Sequence, residues 1–190
     1  MQPAESPDIG CLTRACEGDQ EAQSIVLRWV YPVVARTVRA NLPRRLPAED
    51  VEQDVLIKVL TSLSDYRGCG PLEHWAARLA IFTCIDVLRK ERRRKEVRLG
   101  DLSVTEMLAV AALAQESARI DQAMAADLVD RLLDTLSAED QLVVRLIDLQ
   151  GHSIRETAEL TGRSVVATKV RVFRARRQLR SALSRWGVER

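Results

Sequence analysis

The sequence predicts an all-α chain of two small helical domains joined by an acidic linker. Three observations carry that expectation. Leu, Ala, Val, Arg and Glu dominate, and aromatic residues are only 4% of the 190, a composition that favours helix over strand. Apolar residues recur at helical spacing in segment after segment. Gly and Pro are few and clustered, so they punctuate the chain instead of supplying the frequent turns of an all-β fold.

Taken in order, residues 1–15 read as a flexible N-terminal tail. A helix is expected from Asp19 to about Leu42, broken or kinked near Pro32, its end marked by Asn41, Pro43 and Pro47. A second helix starts after Pro47 with Glu49, Asp50 and Glu52 in its first turn, where the helix dipole favours acids. Val51, Val55, Leu56, Val59, Leu60 and Leu63 fall on one face of it, and Asp50, Gln53, Asp54, Lys58 and Thr61 on the other. Ile57 lies inside that polar stripe, as expected of a protein-docking face, although one exposed isoleucine can also be incidental. Asp65 to Pro71 is a loop by its Gly and Pro content, followed by a helix from about Leu72 to Lys95 that includes Trp75, Leu79, Cys84 and Leu88.

Residues 99–127 form the linker, Ala-rich and acidic. Then come a helix over Leu128 to Leu136, another capped by Ser137 with Glu139 and Asp140 in its first turn, and a third from Ser153 to Leu160. After a turn at Thr161 to Ser164, a last helix runs from Val165 to about Trp186. Two helices joined by a short Gly-containing turn, the second rich in Arg and Lys, make the C-terminal domain a helix-turn-helix. Ile154, Ala158 and Leu160 are placed to pack inward, with Gly162 in the turn and Ser164 as cap. Val165, Thr168, Val172, Ala175, Leu179 and Leu183 share the inner face of the last helix, while Lys169, Arg174, Arg177 and Arg180 point the other way. Such a helix fits the major groove of B-DNA, with arginines anchoring phosphates.

The net charge of +2 hides a segregated pattern. Basic residues crowd into Arg89 to Lys95 and into Arg163 to Arg190, with an acidic stretch from Asp101 to Asp140 between them. Two basic zones suggest two contacts with a polyanion, where either zone alone could be a solvated helix face. No segment reaches the roughly 20 apolar residues of a membrane span, and Met1 to Gly10 lacks a signal-peptide core, so a cytoplasmic protein is expected. Cys11, Cys16, Cys69 and Cys84 contain no Cys-x-x-Cys pair, and with only His74 and His152 beside them no metal site and no cofactor is expected. They read as buried or incidental thiols, a redox role for Cys11 and Cys16 being the alternative. No Gly-x-Ser-x-Gly elbow or phosphate loop accompanies the serines and histidines, and the chain is not expected to be an enzyme.

The C-terminal segments Leu132 to Ser137, Val143 to Leu146, Ser153 to Ala158 and Lys169 to Arg176 together resemble region 4 of bacterial RNA polymerase sigma factors. The N-terminal half independently resembles region 2, in Gly18 to Ala22, Asp50 to Leu60, Arg67-Gly68, and Trp75 through Asp86 to Lys90. Both halves in order, with nothing resembling the other promoter-reading regions, identify the chain as similar to the extracytoplasmic-function class. The resemblance implies domains at 16–98 (region 2) and 128–186 (region 4). It implies that Asp50, Gln53, Asp54, Ile57 and Lys58 dock on the β′ clamp of core polymerase. Arg67, Gly68, Trp75, Arg78, Phe82, Asp86, Arg89, Lys90 and Arg93 would open and read the −10 element, the loop from Asp65 to Pro71 holding a flipped base. Trp75 and Phe82 can equally be core residues. Arg155, Arg163, Ser164, Val166, Ala167, Lys169, Val170, Arg171, Arg174 and Arg177 would contact the −35 element. Phe82 stands where the family commonly has Asn, and Gln23 where it has an aromatic residue. Val166, Val170 and Phe173 could touch thymine methyl groups or fill a pocket on an anti-sigma factor. The competing reading is a stand-alone helix-turn-helix transcriptional regulator, which leaves the Asp50 to Leu60 face without a purpose.

Overall fold

The computed structural model describes residues 6–100 and 122–185, and among them no strand is found. The chain runs through α1 (Ile9–Cys16), α2 (Gln20–Asn41), α3 (Ala48–Thr61), α4 (Leu72–Gly100), α5 (Gln122–Leu133), α6 (Ala138–Val144), α7 (Ile154–Thr161) and α8 (Val165–Arg185). A 3-10 turn, Leu63–Asp65, follows α3, and a π-helical turn, Arg145–Leu149, continues α6. Most of the expected acidic linker, residues 101–121, lies outside the described residues, and α5 begins at Gln122, inside the span assigned to it.

The N-terminal unit is built on α2, α3 and α4. Runs at i, i+4 spacing meet at its centre: Val26, Val30, Val34 and Val38 from α2, Val51, Val55 and Val59 from α3, and Ala76, Ala80, Cys84 and Leu88 from α4. The small Ala76 and Ala80 side chains let α4 approach its neighbours closely. Burying each of the larger side chains is worth about 1.5–3 kcal/mol relative to exposure.

Two expectations are corrected here. Residues 9–16 are helix, not tail, because Asp8 accepts the Cys11 N–H at 2.7 Å and because Ala15, Cys11 and Leu12 lie against the core. The second correction is the expected break at Pro32, since α2 continues through it as one helix even though the ring removes one N–H. The start of α2 is fixed by Asp19, whose carboxylate accepts the Glu21 and Ala22 N–H groups at 2.9 and 3.1 Å. One carboxylate on the inner side of α3 is buried. Glu52 takes the Arg39 Nε hydrogen bond at 2.7 Å and the Tyr31 hydroxyl at 3.4 Å, so its charge has the partners that burial demands.

In the C-terminal unit Leu133, Leu136, Val144 and Ala175 form the core, with Leu179 against it. Arg145 on the π turn is buried and pairs with Asp130 of α5, itself buried. Ser153 and Glu156 form a reciprocal capping box at the start of α7. Gly162 then takes φ 64°, the left-handed conformation that ends α7 and turns the chain into α8. Thr168, Val172 and Ala175 are buried as expected, Leu179 and Leu183 half-buried, but Val165 at the start of α8 is exposed.

The two units touch. Ile81 and Ile85 of α4 are buried with Leu142 of α6 and Leu146 of the π turn, and Leu160 of α7 covers the edge.

Candidate functional site

Three surfaces collect the residues singled out by sequence. On α3, Asp50, Gln53, Asp54, Ile57 and Lys58 are all exposed and share the face opposite the valine core, with Ile57 60% accessible at its middle. Lys58 also donates to Thr83 Oγ1 at 3.0 Å, which anchors its ammonium toward α4.

The second surface is on α4 and the loop before it. Arg78, Phe82, Asp86, Arg89 and Arg93 are exposed along one side of the helix, and Lys90 is exposed on its flank. Phe82 is 41% accessible, so it is no core residue. Trp75 is one. It is half-buried against the N-terminal core, with its ring 5.6 Å from Tyr66, whose hydroxyl in turn donates to the Gly70 carbonyl. Trp75 therefore fixes the loop, and Arg67 and Gly68 stand out from it, Gly68 in the left-handed region with φ 69°. Arg89 is engaged by the C-terminal unit: its Nε donates to Glu139 Oε1 at 2.9 Å and it also pairs with Asp86 at 3.4 Å. The hydrogen bond to Glu139 raises the Arg89 pKa further above its already high value.

The third surface is the outer side of α8. Val166, Lys169, Val170, Phe173, Arg174, Arg177 and Arg180 are exposed there and fall on one face, with Val166 72% and Phe173 65% accessible. Arg163 and Ala167 are exposed beside it, and so is Arg155 on α7, within 3.5 Å of Glu159. Two residues expected here serve the unit itself. Ser164 Oγ accepts the Ala167 N–H at 3.1 Å and is used as the helix cap, and Arg171 turns inward to Asp140 at 2.8 Å.

Two family models match the chain in this order: Sigma-70 region 2 over residues 26–94 and Sigma-70, region 4 over residues 126–179. The chain belongs to the extracytoplasmic-function sigma factors. It directs promoter-specific transcription initiation by RNA polymerase, and sigma factors are initiation factors without a reaction of their own. This sigma factor is 27% identical over 175 residues to the ECF RNA polymerase sigma factor SigM of Mycobacterium tuberculosis, covering 92% of this chain and 84% of the relative. It is 26% identical over 168 residues to the ECF RNA polymerase sigma-E factor of Escherichia coli, covering 86% of this chain and 87% of the relative. Among solved structures, the sigma factor RpoE of Bartonella quintana, determined with the anti-sigma factor NepR, aligns at TM-score 0.53 and 25% identity, over 86% of this chain and 96% of that one. CnrH, determined with the cytosolic domain of CnrY, shares the fold at TM-score 0.54 and 21% identity, over 94% and 98%.

The sequence reading of this sigma factor missed the seam between its halves. Besides the Ile81 cluster, Arg44 N–H donates to Asp130 at 3.0 Å, Arg45 pairs with Asp134 at 2.7 Å, and Gln150 donates to Asn41 Oδ1 at 3.0 Å. A signal was present: Ile81 and Ile85 sit off the core-facing phase of α4, and apolar residues there need a second partner. Cys84 lies in the N-terminal core, where burial pushes its thiol pKa up to about 12, so it stays protonated at neutral pH. Cys16 and Cys69 are exposed. Among the described residues no group of His, Cys, Asp and Glu is placed to hold a metal ion, and no helix is long and apolar enough to cross a membrane.

Proposed function

We propose that the three surfaces divide the work of initiation. The α3 face holds core polymerase at its β′ clamp, with Ile57 as the apolar anchor and Asp50, Gln53, Asp54 and Lys58 setting the register around it. The α4 side and the loop it carries engage the −10 element. Arg78, Arg89, Lys90 and Arg93 neutralise phosphates there, and Phe82 offers a ring to an unpaired base. Such stacking returns about 1–3 kcal/mol per base toward the cost of unstacking it. Arg67 and Gly68, on the loop that Trp75 braces, lie where a flipped base would enter, and Asp86 faces the −10 element from the same side of α4 as Phe82.

The outer face of α8 reads the −35 element. Among the described residues Lys169, Arg174 and Arg177 have no intramolecular ion pair and suit phosphates, as do Arg155 and Arg163 at the edges. Val166, Ala167 and Val170 suit thymine methyl groups. The domains run over 16–98 and 128–186, the first extended toward the chain start by α1. An anti-sigma factor controls the chain in the cytoplasm and covers the apolar strip of Val166, Val170 and Phe173 when the −35 element is not bound there. The protein takes no cofactor and catalyses no reaction.

The observation that carries this reading is the continuous exposed face on α3. A stand-alone DNA-binding regulator has no use for an exposed isoleucine ringed by polar and charged residues on α3. The test is capture of bacterial core polymerase by the full-length tagged chain. Asp54→Ala is expected to weaken capture and leave −35 duplex binding by the holoenzyme's residual population unchanged in sequence preference, while Lys169→Ala keeps capture. A folded chain that core polymerase ignores would refute the proposal.

A further inference from the structure

Val166, Val170 and Phe173 stand out from α8 at 72%, 44% and 65% exposure, on one face of the helix. At about 1.5 Å of rise per residue, Val166 and Phe173 are roughly 10 Å apart along the axis, or about three base-pair steps. The hydrogen-bonding groups of the same stretch are turned elsewhere. Thr168 is buried, and its hydroxyl donates to the Ser164 carbonyl at 3.0 Å. Ser164 Oγ faces the Ala167 N–H, and Arg171 donates to Asp140 at 2.8 Å. The helix carries no carboxylate, and its side-chain amide, on Gln178, donates to the Thr135 carbonyl at 2.7 Å. From Val165 to Ala175 the outer face is therefore left with the cations Lys169 and Arg174 and with apolar carbon. In the major groove, base edges offer acceptors, the amino donors of adenine and cytosine, and the thymine methyl group. This face has no side-chain acceptor for the amino donors, and its cations suit base acceptors and phosphates alike. The apolar strip is what can tell one pyrimidine from another.

We propose that Val166, Val170 and Phe173 make this chain a reader of pyrimidine 5-methyl groups. Its −35 element then places methyl-bearing bases, on either strand, where these side chains meet the groove. The inference rests on the assignment of the −35 element to α8, and it makes the strip a determinant of promoter choice. Burying one methyl group against a side chain corresponds to about fourfold in affinity.

The test uses the holoenzyme, formed from the full chain and core polymerase, on promoter duplexes of a start site mapped by run-off transcription. Uracil replaces each −35 thymine in turn, which removes the methyl group and keeps every hydrogen-bonding group. At the same positions C·G pairs are introduced with cytosine or 5-methylcytosine, which differ in the methyl group alone. Uracil is expected to weaken binding about fourfold at two or three positions within about four base pairs, and 5-methylcytosine to exceed cytosine there by a similar factor. Val166→Ala and Val170→Ala, which lose their γ carbons at exposed positions, are each expected to abolish the uracil penalty at one position and keep it at the others. Equal binding of thymine and uracil throughout the element would overturn the proposal and leave the strip to a protein partner. Penalties unchanged in both variants would overturn it too, since they would come from the stiffness of the duplex. Replacing the whole −35 element separates these failures from a failure of the −35 assignment. Binding that survives both that replacement and Lys169→Ala sinks the assignment and methyl reading together, whereas binding weakened by both, with uracil tolerated, sinks methyl reading alone.

Discussion

Truncating Ile57 to Ala tests the polymerase-docking face with little risk to the fold. The residue is 60% exposed in the free chain, so most of its apolar surface still has water to lose. Full burial of an isoleucine is worth about 1.5–3 kcal/mol, and the share left to bury in a complex is therefore about 1–2 kcal/mol. That corresponds to about a 5- to 30-fold rise in Kd for core polymerase. The stability of the chain itself should change by no more than about 0.5 kcal/mol, as for other surface substitutions. Competition between unlabelled variant and fluorescently labelled wild-type chain for core polymerase reads the affinity, and chemical denaturation reads the stability. An Ile57→Ala chain that is folded and competes as well as wild type would refute the reasoning, because it would leave the exposed isoleucine with no interface to enter.

Three further outcomes are expected. Lys169→Ala or Arg174→Ala should weaken −35 binding by the holoenzyme and lower the slope of log affinity against log salt by about 0.9 for each phosphate that is no longer neutralised, measured by titration at several salt concentrations. Gly162→Ala should destabilise the C-terminal unit by roughly 1–2 kcal/mol, because φ 64° is left-handed and an L side chain is strained there; urea unfolding checks it. The seam should loosen in acid. Burial pushes the Glu139 pKa up, but the hydrogen bond from Arg89, its own backbone N–H and the Arg89 and Arg171 charges outweigh burial and hold it below the ordinary 4.5. A depressed carboxylate stabilises the state in which it is depressed at pH values above 4.5, and that contribution is lost as pH falls through the lower value it has in the packed seam. The radius of gyration should therefore rise below about pH 4.5 in the wild type and rise less in a Glu139→Gln chain, which keeps the Arg45–Asp134 pair across the seam but has no carboxylate at position 139.

The helical plan and the three surfaces were legible because each is a property of one helix. Spacing alone places Val51, Val55 and Val59 inward and Ile57 outward, and places Lys169, Arg174 and Arg177 away from Val172 and Ala175. What spacing cannot supply is the partner of a face. Glu52 reads as a first-turn acid, yet it is buried, and its partners Arg39 and Tyr31 belong to another helix. Arg171 reads as one more basic residue until Asp140, 31 positions earlier, draws it inward. The seam is the largest case: Ile81 meets Leu142 only because two units fold against each other across a long connection. The helix at Ile9–Cys16 was hidden by its shortness, since eight residues give too few turns for a periodic pattern to stand out.

Transcription with purified core polymerase on genomic DNA, with and without this chain, tests the central claim most directly. The account expects a set of start sites that depends on the chain, each preceded by a shared pair of −10 and −35 sequences. Transcripts identical in its presence and absence, from a chain shown to be folded, would contradict it.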